Sequence, residues 1–118
     1  KLARKAAWNY TGELRFCVSG IRSNATGMDI VRAPEWVTVR CFDFARWFDE
    51  LWVDDAVVKM DCEGAEFVLL PRLIRLGLDD RIALLLIEWH DDKLETGASE
   101  ERAMLSDALR CPVEEWHG

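Results

Sequence analysis

The sequence predicts an α/β fold built on a mostly parallel sheet, with a β-hairpin near the N-terminus. From residue 36 onward, apolar segments typical of strands take turns with segments whose apolar residues recur every three or four positions. This alternation is typical of a parallel sheet whose strands are joined by crossover helices. Nearer the N-terminus, two strand-like segments flank the turn residues Tyr10, Thr11 and Gly12, and this pattern predicts the hairpin.

The first third of the chain is predicted to contain the hairpin, a long loop and a strand. Residues 5–9 and 13–18 form the two hairpin strands. Residues 19–34 carry Gly, Ser and Asn without apolar periodicity, so they are expected to form a loop, and loops of this length are often functional. Residues 36–41 alternate again and form the next strand.

The middle of the chain is predicted as helix, strand and helix. Asp43 can cap a helix that runs to about Trp52, where the Trp52 ring is expected to seal the core. Residues 56–60 form a short apolar strand, and residues 63–76 are helical in pattern. Pro71 predicts a kink or a new helix start, and Gly77 is expected to close the helix in a left-handed conformation.

A strand and a helix complete the predicted order. Residues 82–89 are almost all apolar, as in a strand covered on both faces. Ser99 can cap the last helix, whose predicted buried stripe is Met104, Leu105, Ala108 and Leu109. We interpret residues 1–118 as one domain or a fragment of one.

Composition narrows the class of protein. Half of the residues are hydrophobic and 31% are charged, which excludes a disordered segment. The longest apolar run, residues 82–87, is far shorter than the roughly 20 residues of a membrane span. No membrane association is therefore expected. The net charge is −7, with −11 in residues 43–118, so no nucleic acid partner is expected either. The four cysteines form no closely spaced pair, which favours a reduced, cytoplasmic protein.

Polar side chains follow two strands of the predicted sheet, where each strand ends. Asp61 and Glu63 follow residues 56–60, and Glu88 and His90 end the next strand. Ligands of open α/β sheets bind beyond the carboxyl ends of the strands. We therefore expect these four side chains to converge at one edge of the sheet.

Three chemical roles are open to this group. His90 or a carboxylate could take a proton from a hydroxyl nucleophile. Asp61, Glu63 and Glu88 could hold a divalent cation through oxygen ligands. The carboxylates could also do no more than cap helices and pair with basic side chains. Glu66, on the helix shortly after the strand, is expected to form a cap or a surface pair.

Two further residues are expected at this edge. Gly64 lets the chain turn sharply from strand into helix, so it is predicted as the structural turn. Trp89 lies between Glu88 and His90 and is the tryptophan best placed to line a pocket.

Residues 57–66, VVKMDCEGAE, followed by Leu69 and Leu70, resemble the signature of FkbM-type S-adenosylmethionine-dependent methyltransferases. Residues 5–16, 37–43 and 86–90 are similar to neighbouring segments of that family, and the resemblance covers roughly residues 3 to 92. It implies a partial Rossmann-like methyltransferase sheet, with this chain forming the middle and C-terminal part of the methyltransferase domain.

The resemblance also implies a cofactor and a reaction. The cofactor is S-adenosyl-L-methionine, and the reaction is transfer of its methyl group to a hydroxyl of a small molecule or sugar. The family's glycine-rich cofactor loop precedes the matching segments and is absent from this chain, so its cofactor-binding residues are unknown. We therefore expect the isolated chain to be inactive and to bind the cofactor weakly.

Asp61 and Glu63 carry over onto the family signature, and Glu88 onto the end of the next strand. Asp61 and His90 are the expected catalytic residues, with the choice of general base between them open. Glu63, Glu88 and Trp89 are expected to bind substrate, and Asp61, Glu63 and Glu88 remain the candidate ligands of a divalent metal. The methyl acceptor, the metal dependence and the oligomeric state stay open.

Two other functions compete with this interpretation. One is a metal-dependent nuclease or phosphoesterase, for which acidic residues on neighbouring strands are a loose match. The other is a non-catalytic fragment that binds a partner chain.

Overall fold

The computed structural model describes residues 4–18, 21–23, 29–31, 35–91 and 97–117. The described strands form three sheets. One has the order β1-β5-β2, from β1 (Ala6–Trp8), β2 (Gly12–Val18) and β5 (Glu35–Asp43). The second pairs β3 (Ile21–Ser23) with β4 (Asp29–Val31), and the third has the order β6-β7-β8, from β6 (Ala56–Met60), β7 (Ile82–Ile87) and β8 (Val113–Glu115).

Helices connect the strands of the C-terminal part. They are α1 (Phe44–Glu50), α2 (Glu66–Arg75) and α3 (Ala98–Ala108), with a 3₁₀-helical turn at Leu78–Arg81. In the third sheet β6 is parallel to β7 and β7 is parallel to β8. The α/β class with a mostly parallel sheet is therefore confirmed, and it is compatible with part of a Rossmann-like fold. No helix in the described part of the chain is both long and apolar enough to span a membrane.

An antiparallel strand pair is present near the N-terminus, but it is formed by β2 and β5 and not by the two predicted hairpin strands. β1 and β2 do not pair with each other; they flank β5, with β1 parallel and β2 antiparallel to it. The turn between β1 and β2 bonds to β5, because the Asp43 N–H donates to Thr11 Oγ1 at 3.2 Å and the Cys41 thiol donates to the Tyr10 carbonyl at 3.4 Å. The long central strand thus occupies the place between the two predicted hairpin strands.

The predicted loop of residues 19–34 contains regular structure. β3 and β4 pair antiparallel within it, from Ile21 opposite Val31 to Ser23 opposite Asp29. The prediction of a structureless loop was wrong at these positions, and the rest of that loop lies outside the described residues.

The core lies between α2 and the sheet of β6, β7 and β8. Leu70 and Leu73 of α2 and Leu85 and Ile87 of β7 are completely buried. Their burial follows from the spacing of i and i+3 on the helix and i and i+2 on the strand. The prediction that Trp52 seals the core was wrong: it lies in the turn after α1 with φ +54° and is 89% exposed.

Helix ends depart from the sequence predictions in two places. α2 is a single helix that passes through Pro71, so no new helix starts there, and Gly77 closes it with φ +72°, as predicted. α3 begins after Gly97, with φ +73°, so Ser99 lies inside its first turn and is not the cap. Of the predicted buried stripe, Leu105 of α3 and Leu109 just after it are buried, whereas Met104 is 72% exposed and Ala108 is also exposed.

Candidate functional site

Two neighbouring parallel strands define the edge at which the site lies. Met60, the last residue of β6, is opposite Ile87, the last residue of β7. The Glu88 N–H donates to the Met60 carbonyl at 3.0 Å, so the pairing continues to the strand ends. Asp61 and Glu88 therefore leave adjacent parallel strands at the same edge, as the sequence predicts.

A tight turn carries the chain from β6 into α2. Gly64 has φ +103°, a conformation that glycine adopts without a steric penalty, so its predicted turn role is confirmed. Glu63, just before it, has φ +52°, which costs a residue with a Cβ about 1–2 kcal/mol. The Gly64 N–H donates to Glu66 Oε2 at 3.0 Å, and this bond holds the turn against the start of the helix.

Glu66 is completely buried and connects the turn to the neighbouring strand end. Its Oε1 accepts from the His90 N–H at 2.6 Å and lies 3.0 Å from His90 Nδ1. The assignment of Glu66 to a cap or surface pair was therefore wrong. The spacing of Glu66, Leu70 and Leu73, at i, i+4 and i+7, puts all three on one helix face and could have indicated that Glu66 is buried.

His90 lies at the centre of the site and is 8% exposed. Its Nε2 lies 3.4 Å from Asp61 Oδ1 and 3.4 Å from Glu63 Oε1. Burial alone would lower the pKa of His90, but the hydrogen bond with Glu66 and the charges of Glu66, Glu63 and Glu88 outweigh it and raise the pKa above its ordinary value. Acidic groups thus face both ring nitrogens and favour a positive charge on the ring.

The structure therefore brings together three of the predicted site residues, Asp61, Glu63 and His90. Their ligand atoms all lie within 4.8 Å of one another, and two carboxylate oxygens with one imidazole nitrogen make a donor set that first-row divalent metals accept. The sequence analysis had Glu88 as the third candidate ligand; in the described residues His90 takes that position. Glu88 is half-buried and acts on the ring through its charge.

Trp89 contacts different groups from those of His90. Its ring packs against Phe67 of α2, with the centroids 5.5 Å apart, and the Arg102 guanidinium lies 5.4 Å from its centroid. Arg102 in turn contacts Asp91 at 3.3 Å and Glu115 of β8. Trp89 therefore joins α2 and α3 beside the site, and its predicted substrate contact stays a prediction.

Cys62, between Asp61 and Glu63, is an unreactive thiol in this environment. Burial raises its pKa to about 11, and the charges of Glu66 and Asp61 act in the same direction. The nucleophilic form of a cysteine is the thiolate, which is scarce at neutral pH for such a group. The chemistry of this edge therefore rests on carboxylates and an imidazole.

A shallow cavity of about 280 Å³ lies elsewhere, along the outer side of α2, lined by Asn9, Val68, Pro71, Arg72 and Arg75. It includes none of the predicted site residues. Arg72 at its wall is already bonded to Asp43 through two hydrogen bonds, of 3.0 and 2.6 Å.

Comparison with family models, curated proteins and solved structures found no match to this chain.

Proposed function

We propose that this chain is part of an S-adenosylmethionine-dependent O-methyltransferase of the FkbM type, acting on a hydroxyl of a small molecule or sugar. The observation that carries the proposal is that the signature-like residues 57–66 form a strand, a tight turn and a helix start whose acidic groups meet His90 from the next strand. The strand–turn–helix with a polar group at its edge is the place where α/β enzymes bind substrate.

His90 is the general base in this proposal. A hydroxyl becomes an effective nucleophile only when its proton has an acceptor close by, within about 2.6–3.2 Å. Nε2 of His90 faces Asp61 and Glu63, which would stabilise the imidazolium formed when the ring takes that proton. S-adenosyl-L-methionine would supply the methyl group as an electrophile.

Substrate hydroxyls fit the carboxylates around the ring. Asp61 and Glu63 are partly exposed, with 38% and 70% of their side chains accessible, and carboxylate oxygens accept hydrogen bonds from the hydroxyls of a sugar or similar metabolite. Glu63 and Glu88 would hold the acceptor molecule beside Nε2, and this positioning is the larger part of catalysis by in-line transfer.

The experiment is cofactor binding and methyl transfer with the full-length protein and with the 118-residue chain. We expect the full-length protein to bind S-adenosyl-L-methionine with micromolar affinity, about −8 kcal/mol, and the chain alone to bind it weakly by titration calorimetry. Transfer of a labelled methyl group to a panel of sugars and small alcohols then identifies the acceptor class. A full-length protein that does not bind the cofactor would rule the proposal out.

A metal-dependent phosphoesterase is the second candidate, and the grouping of Asp61, Glu63 and His90 within 4.8 Å favours it. It predicts hydrolysis of a chromogenic phosphodiester with Mg²⁺, Mn²⁺ or Zn²⁺ and loss of that hydrolysis with a chelator. Methyl transfer that is unaffected by the chelator, without phosphodiester hydrolysis, would decide for the first candidate.

The proposal also places the enzyme in the cytoplasm. Cys41, Cys62 and Cys111 are all free thiols. Unpaired buried cysteines are typical of a reducing compartment.

A further inference from the structure

The carboxylate of Glu66 contacts three groups: the Gly64 N–H, the His90 N–H and His90 Nδ1. We propose that Glu66 is the positioning residue of this site, holding the neutral His90 ring with its hydrogen on Nδ1 so that Nε2 faces the bound hydroxyl. The catalytic consequence rests on the function proposed above, whereas the effect on the ring can be measured without it.

The first step of the argument concerns the ring hydrogen. An ionised carboxylate only accepts hydrogen bonds, so the 3.0 Å contact between Glu66 Oε1 and His90 Nδ1 is a hydrogen bond when Nδ1 carries the hydrogen. A neutral imidazole carries one ring hydrogen, and Nε2 is then left as the acceptor. The same Oε1 accepts the His90 backbone N–H at 2.6 Å, so the ring and its main chain are fixed by one atom.

The second step concerns rigidity. Glu66 is completely buried at the start of α2, as are Leu70 and Leu73 on the same face of the helix. Its second oxygen is bound to the Gly64 N–H, so the carboxylate cannot rotate without breaking the turn that carries Glu63. A group held in this way fixes the geometry of its partner, as an active site requires.

The third step separates Glu66 from the other carboxylates near the ring. Asp61 and Glu63 lie at the opposite nitrogen, at 3.4 Å from Nε2, and are much more exposed than Glu66. Glu88 acts on the ring by its charge. Glu66 therefore orients the ring, and Asp61 and Glu63 face the atom that would accept the proton.

The test measures the tautomer of His90 by ¹⁵N NMR of the histidine rings in the 118-residue chain, at a pH where the ring is neutral. His117 is exposed and is the reference signal for an unconstrained ring. We expect the wild-type His90 ring to carry its hydrogen on Nδ1. In Glu66→Gln the amide can also donate, so we expect the form with the hydrogen on Nε2 to increase. Glu63→Gln is the matched control and should leave the hydrogen on Nδ1.

Thermal melts of each variant keep the test decisive if Glu66→Gln folds poorly. In that case Glu66→Asp, which keeps the charge but shortens the side chain, should give a ring distribution between the wild type and the exposed His117. A hydrogen on Nε2 in the wild type, or the same ring distribution in the folded Glu66 variant, would overturn the proposal.

The catalytic arm uses the full-length protein. Groups that orient a metal-binding histidine contribute about 10–100-fold to activity, and we expect the same scale for a histidine that acts as a base. Glu66→Gln should therefore lower kcat by that factor with KM little changed. An unchanged kcat per folded molecule would reduce Glu66 to a structural residue and overturn its positioning role. If the wild type transfers no methyl group, the proposed function fails, and the NMR result alone decides whether Glu66 holds the ring.

Discussion

Glu66 and Asp79 are both completely buried carboxylates, yet their surroundings differ. Asp79, in the 3₁₀-helical turn, is bonded to Arg110 through the guanidinium at 2.6 Å and the backbone N–H at 2.9 Å. Glu66 is bonded to a histidine that two further carboxylates approach. The partner of Asp79 is an arginine that stays positive at physiological pH, whereas the partner of Glu66 is a histidine that can gain and lose its charge.

The difference in partners indicates different roles for the two carboxylates, one in stability and one at the candidate site. Arg110 balances Asp79 and joins the turn before β7 to the segment that leads into β8. Glu66 instead lies with further carboxylates around one imidazole at the edge of the sheet, an arrangement that suits the proton acceptor proposed above. Variants at the two sites should therefore change different observables.

The largest expected effect is the loss of turnover in the Asp61→Asn variant of the full-length protein, beside His90. Asp61 faces Nε2, and Asn keeps its shape but removes the charge that stabilises the imidazolium. We expect turnover to fall on the order of a hundredfold, the lower range for a general-base system. The melting temperature should change little, because the side chain is partly exposed. Turnover near the wild-type level would move the catalytic role away from Asp61.

The second expected effect is a loss of stability in the Asp79→Asn variant. Asp79→Asn keeps the size of the side chain but removes the charge that Arg110 binds, and it leaves one buried acceptor replaced by a donor. We expect a loss of about 1–3 kcal/mol in the free energy of unfolding, measured by urea denaturation of the chain. Turnover per folded molecule of the full-length protein should be unchanged. A stability loss smaller than that of a surface variant would show that the ion pair contributes nothing.

The same site predicts the behaviour of the chain in acid. Burial would raise the pKa of Asp79, but the hydrogen bonds from the Arg110 side chain and backbone outweigh it and hold the pKa below its ordinary value. The stabilisation is therefore present above the unfolded pKa of about 3.9 and is lost as the pH falls through the lower folded pKa. As the pH falls below about 4, the stability of the wild type should decrease more steeply than the stability of Asp79→Asn. Equal slopes would contradict the assignment.

The sequence predicted the fold class and the edge of the sheet because both depend on local patterns. The apolar runs at 56–60 and 82–89, with polar residues after each, are enough to place Asp61 and Glu88 on adjacent strand ends. The separation of β1 from β2 was not predictable in this way, because the strand that lies between them, β5, begins at Glu35, 17 positions after β2 ends at Val18. β8 was missed because its three residues, Val113–Glu115, carry no alternation long enough to identify a strand.

At the candidate site, too, the sequence predicted what depends on local patterns and missed a contact between distant residues. Asp61, Glu63 and His90 were found because polar residues after a strand are conspicuous, whereas Glu66 is one carboxylate among several near a helix start. Its role depends on a contact with His90, 24 positions later in the sequence, which only the folded chain forms. The interval of four between Glu66 and Leu70 was the available signal, but acidic residues are also common at helix N-termini, so the interval does not by itself predict a buried Glu66.

The smallest effect is expected from an ion pair that resembles the Asp79 pair in composition only. Arg46 and Glu50 lie one turn apart on α1 with Nε and Oε1 3.1 Å apart, but 75% and 65% of their side chains are exposed. Pairs of this kind on a helix surface contribute about 0.3–0.5 kcal/mol, and salt screens them. Glu50→Gln should therefore lower the free energy of unfolding by less than about 0.5 kcal/mol, and by still less in 1 M NaCl. The loss of stability in Asp79→Asn should persist at high salt, because that carboxylate is buried. Urea denaturation of both variants at low and high salt measures the difference. If salt removes both losses equally, burial does not distinguish the two ion pairs, and the stability half of the comparison between Asp79 and Glu66 fails.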